Sequence, residues 1–361
     1  MKKVLDLICV IMFFTIVVMF ALSMLIFNGS GNIFKRQEGQ SVDEQLSQNF
    51  PLKENWKTLR TSLLLAAGKT EIDGTFLVDG AVIKPSEQVS DEATKRLSEG
   101  INTFCEKYSG KSVYACIIPS PSGIYSADIP SVGVGFDQRH YIDDVYYSLD
   151  SSVVTLDAYS PLYTSRENYI YMRTDESLTS AGAFSVYSSV VRKMGFSPRP
   201  LSDYDTEHAM SGFIGSLCTE LKIRQRITPD NIDLLTPKNG TVVTSAIGTN
   251  GNSEEAYKSV FDRGALLGES PLDVFVYGDR FEKVDIKTIN SQNPKLLIIK
   301  TAHTNPVIPF IISHYSFVTV IDADKASGRR LSELAAAENY DQVLFLLDIE
   351  SLEGLRLDEM I

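Results

Sequence analysis

Lys295–Asp322 reads KLLIIKTAHTNPVIPFIISHYSFVTVID. Leu296, Leu297, Ile298 and Ile299 run without polar alternation, the pattern of a strand covered on both faces of its sheet. Phe317–Asp322 is a second run of this kind and Gln342–Leu347 a third. Upstream, Ser112–Pro119 (SVYACIIP) and Val153–Asp157 (VVTLD) read the same way. Helical periodicity fills the intervals. Ala93, Leu97, Ile101, Phe104 and Cys105 recur along 91–108, Asp137–Leu149 reads as a helix, and Thr179–Met194 is a helix stopped by Gly195. Gly328–Glu338 is a further helix. Strand and helix in alternation predict an α/β fold, a doubly wound three-layer α/β/α sandwich of flavodoxin-like form.

From Phe196 to Thr288 the alternation fails. Gly, Thr, Asn and Pro are frequent, Thr241–Ala246 is a short β-like run, and Gly248–Ser253 is a polar tip. This predicts a mixed α+β insertion over about 197–290. Before the sandwich, Trp56, Leu59, Leu63 and Leu64 recur at helical spacing up to Gly68. Glu71–Leu77 and Ala81–Ile83 then read as short strands around an Asp79-Gly80 turn.

The N-terminus opens with Lys2 and Lys3, followed by an apolar run over Leu7–Phe27. That length matches the roughly 20 residues a helix needs to cross a bilayer. It exceeds the apolar core of a cleaved signal, and no A-x-A-like site follows. The expectation is a single-pass transmembrane anchor over 1–28, a polar linker over 29–50, one large domain over 51–351 outside the cytoplasm, and a short tail over 352–361. The net charge is −12, without a basic run, which excludes nucleic acid as the expected partner. Of the four cysteines, Cys9 falls in the apolar run. That leaves Cys105, Cys116 and Cys218, an odd set best read as buried free thiols, with a Cys105–Cys116 bridge conceivable. The chain has four histidines, none paired at helical spacing, and no C-x-x-C, so neither a metal nor a cofactor is expected.

Chemistry is concentrated in a second stretch, Tyr171–Phe184, reading YMRTDESLTSAGAF. It resembles the signature of the bacterial DHHW family, an SGNH-like branch of esterases and acetyltransferases related to the alginate O-acetylation proteins. That signature runs Y-x-R-T-D-H-H-W-T-x-x-G-A. Tyr171, Arg173, Thr174, Asp175, Thr179, Gly182 and Ala183 stand in its frame, while Glu176, Ser177 and Leu178 replace His, His and Trp. The 295–322 stretch resembles the family's nucleophile region, where K-D-S-Y-A-N follows a strand. Asn305, Pro309, Phe310, His314, Tyr315 and Asp322 agree, but Thr301 replaces the Asp and Ala302 the Ser. The elements Gly215-Ser216-Leu217, Pro229-Asp230-Asn231-Ile232 and Tyr277-Gly278 are similar as well, with Asp279 where relatives tend to carry Asn. The similarity extends from about Asn55 to Ser351.

The resemblance implies acyl transfer, in which a serine attacks, a histidine takes its proton and an aspartate orients the histidine. Here the position of the base holds Ser177 and that of the nucleophile holds Ala302, whose methyl group cannot attack a carbonyl. It therefore implies a membrane-anchored homologue with a degenerate site at Asp175, Ser177, Thr301 and Ala302. Such a protein would act as a binding or accessory module beside a surface polysaccharide or a membrane-bound O-acyltransferase. Arg173, Asp175, His303 and Asn305 are its candidate cleft-lining residues, with Asp175 capping the Thr179 helix and Arg173 pairing a carboxylate. The competing expectation is an active O-acetyltransferase or esterase in which His303 works with Thr301 or Ser177.

Overall fold

The computed structural model describes residues 8, 10–19, 22, 52–108, 110–130, 135–240, 242–326, 330–335 and 339–361. The chain divides into two compact units, Met1–Lys69 with Leu221–Gln225, and Thr70–Glu220 with Arg226–Ile361. In the first, the Lys53–Ala66 helix is tied to the 221–225 segment by Thr61 Oγ1 donating to the Leu221 carbonyl at 2.9 Å and by a Lys222–Glu54 ion pair at 2.8 Å. Residues 10–19 are helical. Among the described residues no helix is long and apolar enough to cross a membrane. Much of the Leu7–Phe27 run, and all of the 29–50 linker, lies outside the described residues.

The second unit is mixed α/β. Three short strands, β1 (Glu71–Ile72), β2 (Thr75–Val78) and β3 (Ala81–Ile83), form a small antiparallel sheet. The main sheet contains β4 (Ser112–Ile118), β5 (Val153–Asp157), β8 (Val243–Asn250), β9 (Ser253–Tyr257), β10 (Lys283–Thr288), β11 (Lys295–Lys300), β12 (Phe317–Asp322) and β13 (Gln342–Asp348). Its order is β5-β4-β13-β11-β12-β10-β8-β9. The first five strands are mutually parallel; β10, β8 and β9 continue the sheet antiparallel.

The unbroken apolar runs follow from coverage on both faces. Side chains alternate across a strand, so Leu296 and Ile298 pack with Tyr114, Leu344 and the helix Ser180–Lys193 on one side. Leu297 and Ile299 pack with Val113, Phe345 and the helix Asp91–Lys107 on the other. That second helix starts cleanly because Ser90 accepts the Ala93 N–H at 3.2 Å.

Two expectations are changed by the structure. The 197–290 segment is not set apart from the sandwich: β8, β9 and β10 belong to the main sheet. Only β6 (Tyr204–Phe213) and β7 (Asp230–Pro237) form a separate ribbon. The polar residues of β8, β9 and β10 hid this, since an antiparallel edge needs no apolar run on both faces. The 352–361 segment is likewise part of the core, with Leu352, Leu355, Leu357 and Met360 buried in the cluster of the Asp91–Lys107 helix. Of the helix expected over 328–338, Leu331–Leu334 is helical, and 328, 329 and 336–338 lie outside the described residues. Cys105, Cys116 and Cys218 are free and buried.

Candidate functional site

The carboxyl ends of β11 and β13 lie side by side, with Lys300 in register with Leu346. Ligand sites of open parallel sheets form at this edge. The turn leaving β11 is fixed by Asp348, the last residue of β13. Its carboxylate accepts the Thr301 hydroxyl at 2.6 Å and the His303 N–H at 3.3 Å, while its own N–H donates to Thr301 Oγ1 at 2.8 Å. Thr301 is fully buried. Both its donor and acceptor capacity are used, so it is a structural peg. Ala302, one residue on, is exposed into a cleft of about 580 Å³.

A loop from Tyr171 to Leu178 supplies the facing wall. Its base is closed like a hairpin by the Tyr171–Leu178 bridge, by Met172 N–H donating to Ser177 O and by Thr179 N–H donating to Ile170 O, both at 2.9 Å. Buried Asp230, at the start of β7, organises the near side of the loop. It accepts the Arg173 N–H at 2.7 Å, the Thr174 N–H at 2.9 Å, and the hydroxyls of Thr174 and Tyr169. The turn at Gly215 closes on the far side. A Cβ on Gly215 would sit 2.5 Å from the Thr174 carbonyl and from Asp175 Cβ, so only glycine permits the approach.

That approach sets the environment of Asp175, which is buried and lines the cleft. One carboxylate oxygen accepts the Ser177 N–H (3.1 Å) and hydroxyl (2.7 Å); the other accepts the Ser216 N–H (2.9 Å) and hydroxyl (2.8 Å). Burial opposes ionisation, but these bonds, aided by His303, outweigh it and hold the carboxyl below its ordinary value. Asp175 therefore caps the Ser216–Leu221 helix rather than the Thr179 helix. The latter is capped by Thr179 itself, whose hydroxyl accepts the Gly182 N–H at 3.2 Å.

Ser177 stands between Asp175 and His303, its Oγ 3.4 Å from His303 Nδ1. The row runs carboxylate, hydroxyl, imidazole. Asn305 also lines the cleft, and its buried Oδ1 has no hydrogen-bond partner among the described residues. Asp273 and Asp279 form part of the opposite wall. Burial, then the charge of Asp279, pushes the Asp273 carboxyl up to about 6. Asp273 packs against Gly278, where a Cβ would meet its Oδ1 at 2.0 Å. Below them a buried Lys300–Asp322 ion pair joins the ends of β11 and β12.

The DHHW protein family model matches residues 66–321. The chain belongs to the DHHW family. Among solved structures, this DHHW protein is similar to a DHHW family protein from Eubacterium siraeum, with 22% identity, 80% of this chain and 95% of that chain covered, and a TM-score of 0.69. It is also similar to Bacillus cereus PatB1, solved with a sulfonyl adduct, at 17% identity, 79% and 99% coverage, and a TM-score of 0.68. At these identities the likeness is one of fold. No curated protein matches the chain significantly.

Of the residues singled out in the sequence, the DHHW protein gathers Asp175, Ser177, Ala302, His303 and Asn305 around one cleft. Thr301 is beneath it. Arg173 is not a cleft residue. Asp230 draws the backbone N–H of Arg173 inward, while its guanidinium lies 4.1 Å over the Tyr169 ring, beside a different hollow. The carboxylate expected for Arg173 is Asp230, but their ion pair is long, at 4.0 Å. Asp230 and Ser216 were legible only as members of family-like elements and Asp348 was not singled out at all, because their roles depend on contacts from distant segments. Among the described residues, no group of three His, Cys, Asp or Glu side chains could hold a metal ion.

Proposed function

We propose that this DHHW protein is a binding or accessory module of cell-surface polysaccharide modification, with a cleft that no longer performs acyl transfer. Its N-terminal apolar run would serve as the membrane anchor, with a membrane-bound O-acyltransferase or the polymer itself as partner. The observation that carries this reading is Ala302, which presents a methyl group to the cleft at the family's nucleophile position.

The remaining groups support it. Ser177 donates its hydroxyl to Asp175, and that carboxylate is a weak base because four bonds already stabilise its charge. Thr301 is bonded to Asp348 in both directions and has no access to a substrate. The second reading, an active O-acetyltransferase or esterase, thus rests on Ser177 with His303, favoured by their 3.4 Å contact.

Covalent labelling separates the two readings. PatB1 has been solved with a sulfonyl adduct, so a sulfonyl fluoride is a reagent suited to this fold. Intact-mass measurement after treatment of the full chain is expected to show no adduct. An adduct mapped to Ser177, and lost in His303→Ala, would overturn the proposal.

A further inference from the structure

The helix Lys53–Ala66 turns its apolar side outward. Leu52 at its N-terminal cap, then Trp56, Leu59 and Leu63, recur at intervals of four, three and four residues, which aligns them in one stripe. All four are exposed, by 42% to 66%. The buried residues of the helix are Thr61 and Leu65, on the other side. A surface helix ordinarily turns its apolar stripe to the core. A single exposed leucine is ordinary, but a contiguous stripe marks a surface that meets something apolar.

The same segment is basic. Lys53, Lys57, Arg60 and Lys69, with Lys222 and Arg224 on the strand of chain tied to the helix, stand against one acidic residue, Glu54. Lys222 already pairs with Glu54 at 2.8 Å. The chain as a whole carries −12, so the basic character is local. Lys53, Lys57 and Arg60 follow at intervals of four and three residues, a basic row along one flank of the apolar stripe.

A tryptophan and leucines on one stripe, with a basic row beside them, suit a helix lying in the plane of an anionic bilayer surface. The apolar side chains enter the boundary between headgroups and acyl chains, and the long basic stems reach the phosphates. A second copy docked on this face by a twofold axis would set basic row against basic row. Position agrees with a lipid occupant. The apolar run ends at Phe27, and the residues between it and Leu52 hold the helix within roughly 80–90 Å of it even at full extension. So tethered, a weak affinity for the surface suffices. We infer that the Lys53–Ala66 helix rests on the anionic lipid surface from which the chain emerges, with Trp56, Leu59 and Leu63 inserted and Lys53 and Lys57 on the headgroups. The inference takes the nearness of the bilayer from the proposed anchor, whose failure is measured separately.

Trp56 is the chain's single tryptophan, so its fluorescence reports this helix alone. The full chain is reconstituted into vesicles of phosphatidylglycerol and phosphatidylcholine, with and without acyl chains brominated near the headgroup. Bromolipid is expected to quench Trp56 roughly twofold or more, and hardly at all in the double variant Leu59→Asp with Leu63→Asp. Quenching should also fall in Lys53→Glu with Lys57→Glu, and for the natural chain in phosphatidylcholine alone. A thermal melt of each variant verifies the fold. Emission unmoved by bromolipid, or quenching equal in the natural chain and the double Asp variant, would overturn the inference. So would equal quenching with and without the anionic lipid. A shift that grows with protein concentration in detergent, without quenching by bromolipid, would assign the face to a second copy instead. Washing the vesicles with alkaline carbonate reads the anchor separately. Chain retained with Trp56 unquenched defeats the inference and leaves the anchor standing, whereas chain released after its Trp56 was quenched does the reverse.

Discussion

Glu176 occupies the position of the family's first signature histidine, and its environment is costly for a carboxylate. Burial, followed by the charge of Glu350, pushes it up to about 7, and its buried Oε1 has no hydrogen-bond partner among the described residues. Glu350 is held in place by the Ser86 hydroxyl. A carboxyl whose folded value lies above its ordinary 4.5 keeps a proton that the unfolded chain has lost. Stability from this group is therefore full below about pH 4.5 and is lost as pH rises toward about 7. Glu176→Gln should remove that slope and stabilise the chain by about 1–2 kcal/mol at about pH 8, with little change at about pH 4. Thermal melts of both proteins across this range check it, and a variant that tracks wild type throughout would refute it. Asp175 behaves in the opposite sense, since its charge is satisfied by four donors. Asp175→Ala strands the Ser216 and Ser177 N–H groups and should cost about 2–4 kcal/mol in urea denaturation. A loss below about 0.5 kcal/mol would show that the cap is dispensable.

At the scale of elements, the site depends on two docked turns more than on any single side chain. The Gly215 turn touches Thr174 and Asp175, and the turn after β11 hangs on Asp348. Gly215→Ala would drive a methyl group into backbone at 2.5 Å. It should therefore destabilise by about 2 kcal/mol or more, with the loop displaced rather than repacked. Hydrogen exchange at the Ser216 and Ser177 amides would report the displacement, and unchanged protection would count against it. The strands and helices around these turns were readable in the sequence, since Leu296–Ile299 and Ala93–Phe104 carry their own periodicity. The docking was not. Nothing local to Asp230 or Asp348 says which distant N–H groups they accept, and nothing local to Arg173 says that its side chain leaves the cleft.

Over the molecule as a whole, strand order is what brings the candidate site together. β11 lies between β12 and β13, which sets the turn beginning at Thr301 beside Asp348 and faces Ala302 and His303 toward Asp175 and Ser177. The parallel half of this sheet was legible from its apolar runs, whereas the antiparallel half, β10-β8-β9, was hidden by polar, half-covered strands. The same geometry indicates which variant tests the proposal that the cleft no longer performs acyl transfer. Thr301 should be left alone, because an Asp there would put a second carboxylate against Asp348. Ala302→Ser with Ser177→His would place a hydroxyl and an imidazole beside Asp175. The decisive measurement is hydrolysis of a simple acetyl ester by the purified wild-type chain, run beside this double variant. Wild type is predicted to show no turnover above background, and the double variant to show some. Wild-type turnover that is abolished by His303→Ala would contradict the account and establish a relocated active site.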